Sequence, residues 1–361
     1  MNSDIQLLVI NPGSTTTKVA YFNHVICQEV KTITHSVEEL EQHSTVLNQQ
    51  QIRYEAILAF LRENNIKLSQ LHAIVARGGL IKPIPSGTYE VNNELLKDAR
   101  EGLHGWHASN FGALLAYELA KQVNIPAFIV DPVVVDEMEP VSKVSGLKGI
   151  ERKSIFHALN QKAVAKKIAK SWNRPYESLS VIVAHLGGGI TVGAHKLGKV
   201  IDVNNGLYGE GPFSPERTGT LPVGDLVDLC YNYNKDQVLK FLAGAGGLVS
   251  YVETNNGVEI ENRIQAGDEE AQFYLEAMGY QVAKEIGAAS VSLAGHVDAI
   301  IITGGLAHSE RLVETITKRV KWISKVVVSP GEDEMMALAE GASRVLLKEE
   351  KAKHYPSGTP L

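Results

Sequence analysis

Apolar residues near the start of the chain come in short runs separated by turn-forming residues. Leu7-Leu-Val-Ile10 precedes Asn11-Pro-Gly-Ser-Thr-Thr-Thr-Lys18 and Val19-Ala-Tyr-Phe22 follows it, so the stretch from Ile5 to Ile26 reads as a hairpin with Pro12 and Gly13 in its turn. From Val37 to Asn64 the apolar residues Val46, Ile52, Ile57, Leu58 and Leu61 recur at helical spacing and predict a helix. Leu71 to Leu80 reads as a short buried strand ending in a glycine turn. Pro83, Pro85 and Gly87 mark a loop, and Asn92 or Asn93 caps a helix running to about Gly102. His104 to His107 is a junction before an apolar helix from Ser109 to Val123, and Ile125 to Val130 is a strand ending on Asp131. Val135 to Arg152 has few apolar residues and several Gly and Pro, which suits a crossing between domains. His157 then opens a helix to Lys170, Ser180 to Ala194 is a strand with a glycine turn, and Glu269 to Ala294 is a long helix. A strand from Lys325 to Ser329 leads to a final helix, Met335 to Leu347. The polar residues Lys348 to Leu361 are expected to fray.

Two of these segments recur. Val9-Ile-Asn-Pro-Gly-Ser-Thr-Thr-Thr matches Val183-Ala-His-Leu-Gly-Gly-Gly-Ile-Thr, with Asn11 on His185, Gly13 on Gly187 and Thr17 on Thr191. Ala73-Ile-Val-Ala-Arg-Gly-Gly-Leu80 matches Ala299-Ile-Ile-Ile-Thr-Gly-Gly-Leu306. Two strand–glycine motifs in the same order in each half argue for a duplicated α/β domain. The glycine turns are then expected to face a cleft between two lobes that grip a nucleotide. Gly244-Ala-Gly-Gly-Leu248 is a further glycine loop. Gly193-Ala-His-Lys-Leu-Gly-Lys-Val200 resembles a phosphate-binding loop but has Val where Ser or Thr must bind magnesium, and it reads as a hairpin turn.

Composition narrows the function classes. With 361 residues, 44% hydrophobic and 21% charged, the chain is ordinary globular protein large enough for two cores. A net charge of -6 gives no basic footprint for nucleic acid or an anionic membrane. Met1 to Asp4 lack the basic region and apolar run of a signal peptide, and no apolar stretch approaches a membrane span. The two cysteines, Cys27 and Cys230, make neither a disulfide framework nor a cysteine zinc site and fit a reducing cytoplasm. None of the 12 His forms a metal-type HxH or HExxH pair. The first turn carries chemistry that suits phosphate: Gly13 allows close backbone approach, Ser14 to Thr17 offer hydroxyl donors and Lys18 is cationic. An ordinary polar hairpin would carry the same residues.

Asn11-Pro-Gly-Ser-Thr-Thr-Thr-Lys18, His185-Leu-Gly-Gly-Gly189 and Glu216-Arg-Thr-Gly219, in this order, resemble the acetokinase family nearly end to end. The ending Gly331-Glu-Asp-Glu-Met-Met-Ala-Leu-Ala339 is nearest that family's butyrate kinases. The resemblance implies a duplicated actin-like (ribonuclease H-like) two-lobed α/β fold with the nucleotide cleft between the lobes. The N-terminal lobe would span 1–150, completed by the C-terminal helix 335–361, and the C-terminal lobe 151–334. It also implies phosphoryl transfer between ATP and a short-chain carboxylate, with Mg2+, in a cytoplasmic homo-oligomer (dimer or higher) having no nucleic-acid or membrane partner. Carried over residue by residue, it makes Arg217 and His157 catalytic and places His107 at the carboxylate and Glu334 at the metal. Asp131, at a strand end where ligands gather, joins the catalytic and metal residues, and Arg77, displaced from the family's position, is the candidate to supply charge at the carboxylate. ATP would be held by Asn11, Gly13, Ser14, Thr15, Lys18, His185, Gly187, Gly188, Gly189, Gly304, Gly305 and Leu306.

The chemistry agrees with that set. A carboxylate nucleophile is already ionised, since carboxyl pKa values lie near ~4, so no general base is required and the enzyme needs cations and donors around the transferring group. Alternatives on the residues alone stay open: His157, His107 and Asp131 also suit helix or strand caps, and Glu332 and Asp333 compete with Glu334 for the metal. One departure concerns the acetate kinase pattern Arg-x-x-His-Gly-Gly, which here reads Ile74-Val-Ala-Arg77-Gly-Gly79. The displaced arginine implies a more apolar pocket for a four-carbon or branched acid. Another acyl kinase of the family, for acetate or propionate, is the alternative; a phosphatase or exopolyphosphatase on the same lobes, and an actin-like filament protein, are the further competing readings. A ROK-type repressor is disfavoured because no helix-turn-helix precedes the first hairpin.

Overall fold

A computed structural model describes residues 4–36, 38, 46–102, 105–359 and 361. Met1 to Ser3, Val37, residues 39–45 and His104, which the readings above include, lie outside the described residues. The described residues fall into two compact units, one from 1–135 with 333–361 and one from 136–332.

The first unit is built on a six-stranded sheet of β1 (Gln6–Pro12), β2 (Thr16–Asn23), β3 (Ile26–Thr34), β4 (Ala73–Arg77), β5 (Thr88–Glu90) and β6 (Ala127–Val130), in the order β3-β2-β1-β4-β6-β5. β1 and β2 form the predicted hairpin, while β4 runs parallel to β1 and β6 parallel to β4. Leu7 to Ile10 and Ala73 to Ala76 are fully buried, which is why these central strands read as unbroken apolar runs rather than alternations. β3 has no such signal: eight of its nine residues are exposed and Ile33 is half-buried, so no core-facing period marks it. The helix Asn93–Glu101 starts at Asn92, whose side chain accepts from the Leu95 N–H, and stops at Gly102 in the left-handed conformation.

The helix Glu334–Leu346 packs against β1, β4 and β6. The tail after it is not frayed. Tyr355 is fully buried, its hydroxyl receives the Lys82 N–H (3.0 Å) and donates to Asp98 (2.5 Å), and Lys353 pairs with β5 through the Thr88 carbonyl (2.8 Å). One buried aromatic anchors a stretch whose polar composition reads as solvent-exposed.

The second unit contains β7 (Ser180–Leu186), β8 (Ile190–Lys196), β9 (Lys199–Val203), β10 (Ala299–Gly304) and β11 (Val326–Pro330), ordered β11-β10-β7-β8-β9. Alternate residues serve two layers. Ile182, Ala184, Leu186, Ile300 and Ile302 join the core that includes the helices Glu269–Ser292 and Glu310–Val320, while Val181, Val183, Ala299 and Ile301 face the helix Ala158–Ser171. β8 and β9 turn at Leu197-Gly198, both at positive φ, so the stretch 193–200 that resembles a phosphate-binding loop is a hairpin.

The two sheets repeat one topology: hairpin, third antiparallel strand, then parallel strands. Ala73 pairs with Leu7 and Ala299 with Val181, the register demanded by the two sequence echoes together. One detail differs. Pro12 pairs with Thr17 across a turn of residues 13–16, whereas Leu186 pairs with Ile190 across 187–189. The second turn is one residue shorter, so Thr191 stands opposite His185 while Lys18, not Thr17, stands opposite Asn11. No helix among the described residues is long and apolar enough to cross a membrane.

Candidate active site

In the first unit the register aligns the strand ends: Ile10 is beside Ala76, and Arg77 beside Val130. Asn11, Arg77 and Asp131 therefore lie along the C-terminal edge of parallel strands, where ligands gather in open α/β sheets. Glu334, at the first turn of the final helix, joins them: its Oε2 accepts from Asn11 Nδ2 (2.6 Å) and pairs with Arg77 (3.4 Å). Arg77 is thereby tied to a carboxylate of its own unit. Ile74 is wholly buried between Leu8 and Ala127, so it contributes to the sheet core. Asp131 is held in the left-handed region at φ 38°, its Oδ1 accepting from Ser86 Oγ (2.6 Å) and the Gly87 N–H (2.8 Å). His107 accepts the Ser109 N–H at Nδ1 (3.1 Å), and its chain neighbour Trp106 is 42% exposed.

The first turn is open at its tip, with Ser14 and Thr15 exposed, and closed from beneath. Arg53, on the helix Val46–Glu63, is fully buried and donates to the carbonyls of Ser14 (2.9 Å) and Thr16 (2.8 Å) and to Thr17 Oγ1 (2.7 Å). Its guanidinium lies 5.4 Å from the Phe111 ring centre. Burial pulls its pKa down to about 10, which still leaves it cationic at neutral pH. His35 completes the underside through Thr17 Oγ1 (2.9 Å). Sequence reading missed Arg53, because an arginine on a polar helix reads as solvent-facing.

In the second unit, His185, Arg217 and Glu332 gather at the turn 187–189. His157, at the N-terminus of the helix 158–171, stacks on His185 with ring centres 3.8 Å apart and planes 13° from parallel. His185 Nδ1 meets Asn160 Oδ1 at 2.8 Å, and its Nε2 lies 3.1 Å from Glu332 Oε1. That second approach has the separation of an ion pair without hydrogen-bond alignment, so Nε2 is a buried polar atom with no hydrogen-bond partner. Arg217 donates to the Gly206 carbonyl, and a Cβ on Gly189 would overlap its guanidinium. The loop 244–248 supports Arg217: Gly247, at φ 64°, lets the backbone approach the Ser214 carbonyl and the Arg217 backbone. Gly304 likewise lies against the Leu186 backbone, while Gly305 faces open space and Leu306 is half-buried. Of the three consecutive acids, Glu332 lies at His185 and Glu334 at Asn11 and Arg77. Among the described residues no group of three or more His, Cys, Asp or Glu could hold a metal ion.

These arrangements have relatives of the same fold. An acetate kinase from Porphyromonas gingivalis superposes with a TM-score of 0.78 at 19% identity, covering 95% of this chain and 100% of that one. A propionate kinase from Francisella tularensis gives 0.73 at 19% identity, covering 93% and 98%. A ROK family protein from Streptococcus pneumoniae gives 0.51 at 13% identity, covering 96% and 100%. The fold is thus the two-sheet α/β fold shared by acetate kinases and the ROK proteins. The acetokinase family matches residues 142–352, more than half of the chain. The chain belongs to the acetokinase family, whose members are ATP-dependent phosphotransferases with a carboxylate acceptor.

Proposed function

We propose that this protein transfers the γ-phosphoryl group of ATP reversibly to a short-chain carboxylate, most favourably butyrate or a branched acid such as isobutyrate, by direct in-line transfer to give an acyl phosphate and ADP. The observation that carries the reading is the set at the turn 187–189: an arginine fork, two stacked imidazoles and a buried ring nitrogen without a hydrogen bond, 3.1 Å from Glu332, around glycines. Such a set supplies donors and positive charge to phosphoryl oxygens. An ionised carboxylate acceptor needs no general base to activate it.

In this reading Arg217 and His157 stabilise charge on the transferring group, and His185 with Gly187, Gly188 and Gly189 holds phosphate oxygens. Asn11, Gly13, Ser14, Thr15 and Lys18 bind phosphate, and Gly305 with Leu306 borders the adenosine; Gly304 shapes that edge through its contact with β7. His107 and Arg77 orient the carboxylate, and Trp106 offers exposed apolar surface to an acyl chain. Glu334 and Asp131 present hard carboxylate oxygens of the kind Mg2+ takes, one or two at a time with phosphate oxygens completing its shell. Mg2+ would neutralise phosphate charge there. Arg77 bound to Glu334 then places a cation beside the same carboxylate.

The test is ATP-dependent formation of acyl hydroxamate, with kcat/KM measured over acetate, propionate, butyrate, isobutyrate and isovalerate. Each methylene is worth ~1–3 kcal/mol in an apolar pocket, so butyrate and isobutyrate should lead with modest discrimination. A maximum at acetate or propionate would replace the butyrate assignment. No product with any acid of three to five carbons would refute the acyl kinase reading.

A further inference from the structure

Behind His157 the second unit buries a line of polar side chains that the proposed chemistry does not use directly. Tyr176 Oη lies 2.8 Å from His195 Nδ1, and His195 Nε2 lies 3.0 Å from Gln161 Oε1. Gln161 Nε2 donates to the Thr191 carbonyl (3.0 Å) and to Thr191 Oγ1 (2.8 Å), and Thr191 Oγ1 lies 2.9 Å from His157 Nδ1. Gln161, Thr191 and His195 are each fully buried, so every proton in this line must find an acceptor within it.

That requirement orders the protons. The Thr191 carbonyl can only accept, so the nitrogen of the Gln161 amide is the end facing Thr191 and its oxygen is the end facing His195. His195 must therefore carry hydrogen on Nε2. Burial and the nearby Lys162 ammonium hold its pKa well below the ordinary histidine value, so it is neutral and accepts the Tyr176 hydroxyl at Nδ1. Thr191 Oγ1 already receives a hydrogen from Gln161, and its own hydrogen has His157 Nδ1 as acceptor. A hydrogen on His157 Nδ1 instead would leave the buried Thr191 hydroxyl hydrogen without one, a loss that burial makes expensive.

We infer that Thr191, oriented by Gln161, holds His157 in the tautomer that carries its hydrogen on Nε2, which makes Thr191 and Gln161 positioning residues for the proposed transfer. His157 then meets a phosphoryl oxygen as a neutral N–H donor of fixed ring orientation and does not serve as a base. The stack on His185 favours the same outcome, since two imidazolium rings 3.8 Å apart would repel. The duplication supplies the position: Thr191 stands across the hairpin from His185, on the same face of the sheet.

The inference rests on the kinase reading for its consequence but not for its test. Long-range 1H–15N spectra of the full chain labelled at histidine nitrogens, assigned through His157→Gln and His195→Gln, report each tautomer directly. His157 and His195 should both appear as Nε2–H. In Thr191→Val the His157 signals should shift toward a mixture of tautomers, and kcat should fall ~10-fold with both KM values unchanged; Thr191→Ser should restore both. A wild-type His157 carrying its hydrogen on Nδ1 overturns the inference, with no variant needed. So does a Thr191→Val spectrum identical to wild type. The predicted tautomers together with no phosphoryl transfer would support the inference and refute the kinase reading.

Discussion

Arg53→Met tests how the first phosphate turn is held. The substitution keeps an apolar stem against Phe111 and removes a cation that makes three hydrogen bonds to the underside of residues 14–17. Hydrogen bonds from a charged donor contribute ~1.5–3 kcal/mol each, so the three give on the order of 4–9 kcal/mol. Against this stands burial of the guanidinium. The fall from 12.5 to about 10 corresponds to about 3 kcal/mol disfavouring the charged form. The folded-state pKa is lowered, so this cost is fully present at neutral pH and is relieved only as pH rises above about 10. A measurement near pH 7 therefore captures all of it.

The net contribution of Arg53 is ~1–6 kcal/mol. The variant should lose that much from the first unit, a Tm drop of roughly 2–20 °C for a unit of its size. The Ser14 and Thr16 carbonyls would lose their shared anchor, so the turn should loosen and ATP KM should rise at least ~10-fold, with kcat less affected. Arg53→Lys should fall between, since one ammonium cannot reproduce the fork. Thermal unfolding and steady-state kinetics on the same preparations decide the matter. An Arg53→Met protein with wild-type Tm and wild-type ATP KM would show that the turn needs no brace.

Arg217→Ala should lower kcat far more than it raises ATP KM, because its contact is assigned to the transition state; an unchanged kcat would remove Arg217 from the mechanism. Gly189→Ala should reproduce most of that kcat loss by displacing the same guanidinium, and normal turnover would mean that Arg217 acts from another position. His107→Ala should act on the carboxylate KM, and a defect confined to ATP would contradict its assignment. Tyr355→Phe removes a buried hydroxyl shared with Asp98 and the Lys82 N–H, so it should lower stability by ~1–3 kcal/mol while leaving kcat near wild type. An unchanged denaturation midpoint would show that the tail is not anchored there.

Much of the fold was legible because sheet register writes itself into sequence. β1, β4, β7 and β10 are buried on both sides and must be apolar throughout, and their ends must turn, so apolar runs before glycines mark them. Their repetition revealed the shared topology. What escaped notice has equally local causes. β3 buries almost nothing, and the C-terminal tail is fastened by one aromatic in a polar stretch. The one-residue slip between the two hairpins cannot be read from aligned letters, because turn length is set by pairing across the strands.

Site residues divide the same way. Groups on the turns themselves announce their chemistry by composition, as Asn11, Lys18 and Gly187 to Gly189 do. Residues that act from behind do not. Arg53 lies more than thirty positions from the carbonyls it holds, and Gln161 lies 30 positions from Thr191. The two turns are also braced by unlike means. A buried cation grips backbone oxygens under the first, while neutral amide, hydroxyl and imidazole groups stand behind the residues at the second. Duplication thus conserved the strands that place the two turns, while the support beneath each diverged. A brace of fixed positive charge suits a turn that only holds an anion, since it adds field without needing to titrate. A neutral line of ordered protons suits a turn whose histidine must present one hydrogen in one direction. The difference in support matches the difference in role proposed for the two turns.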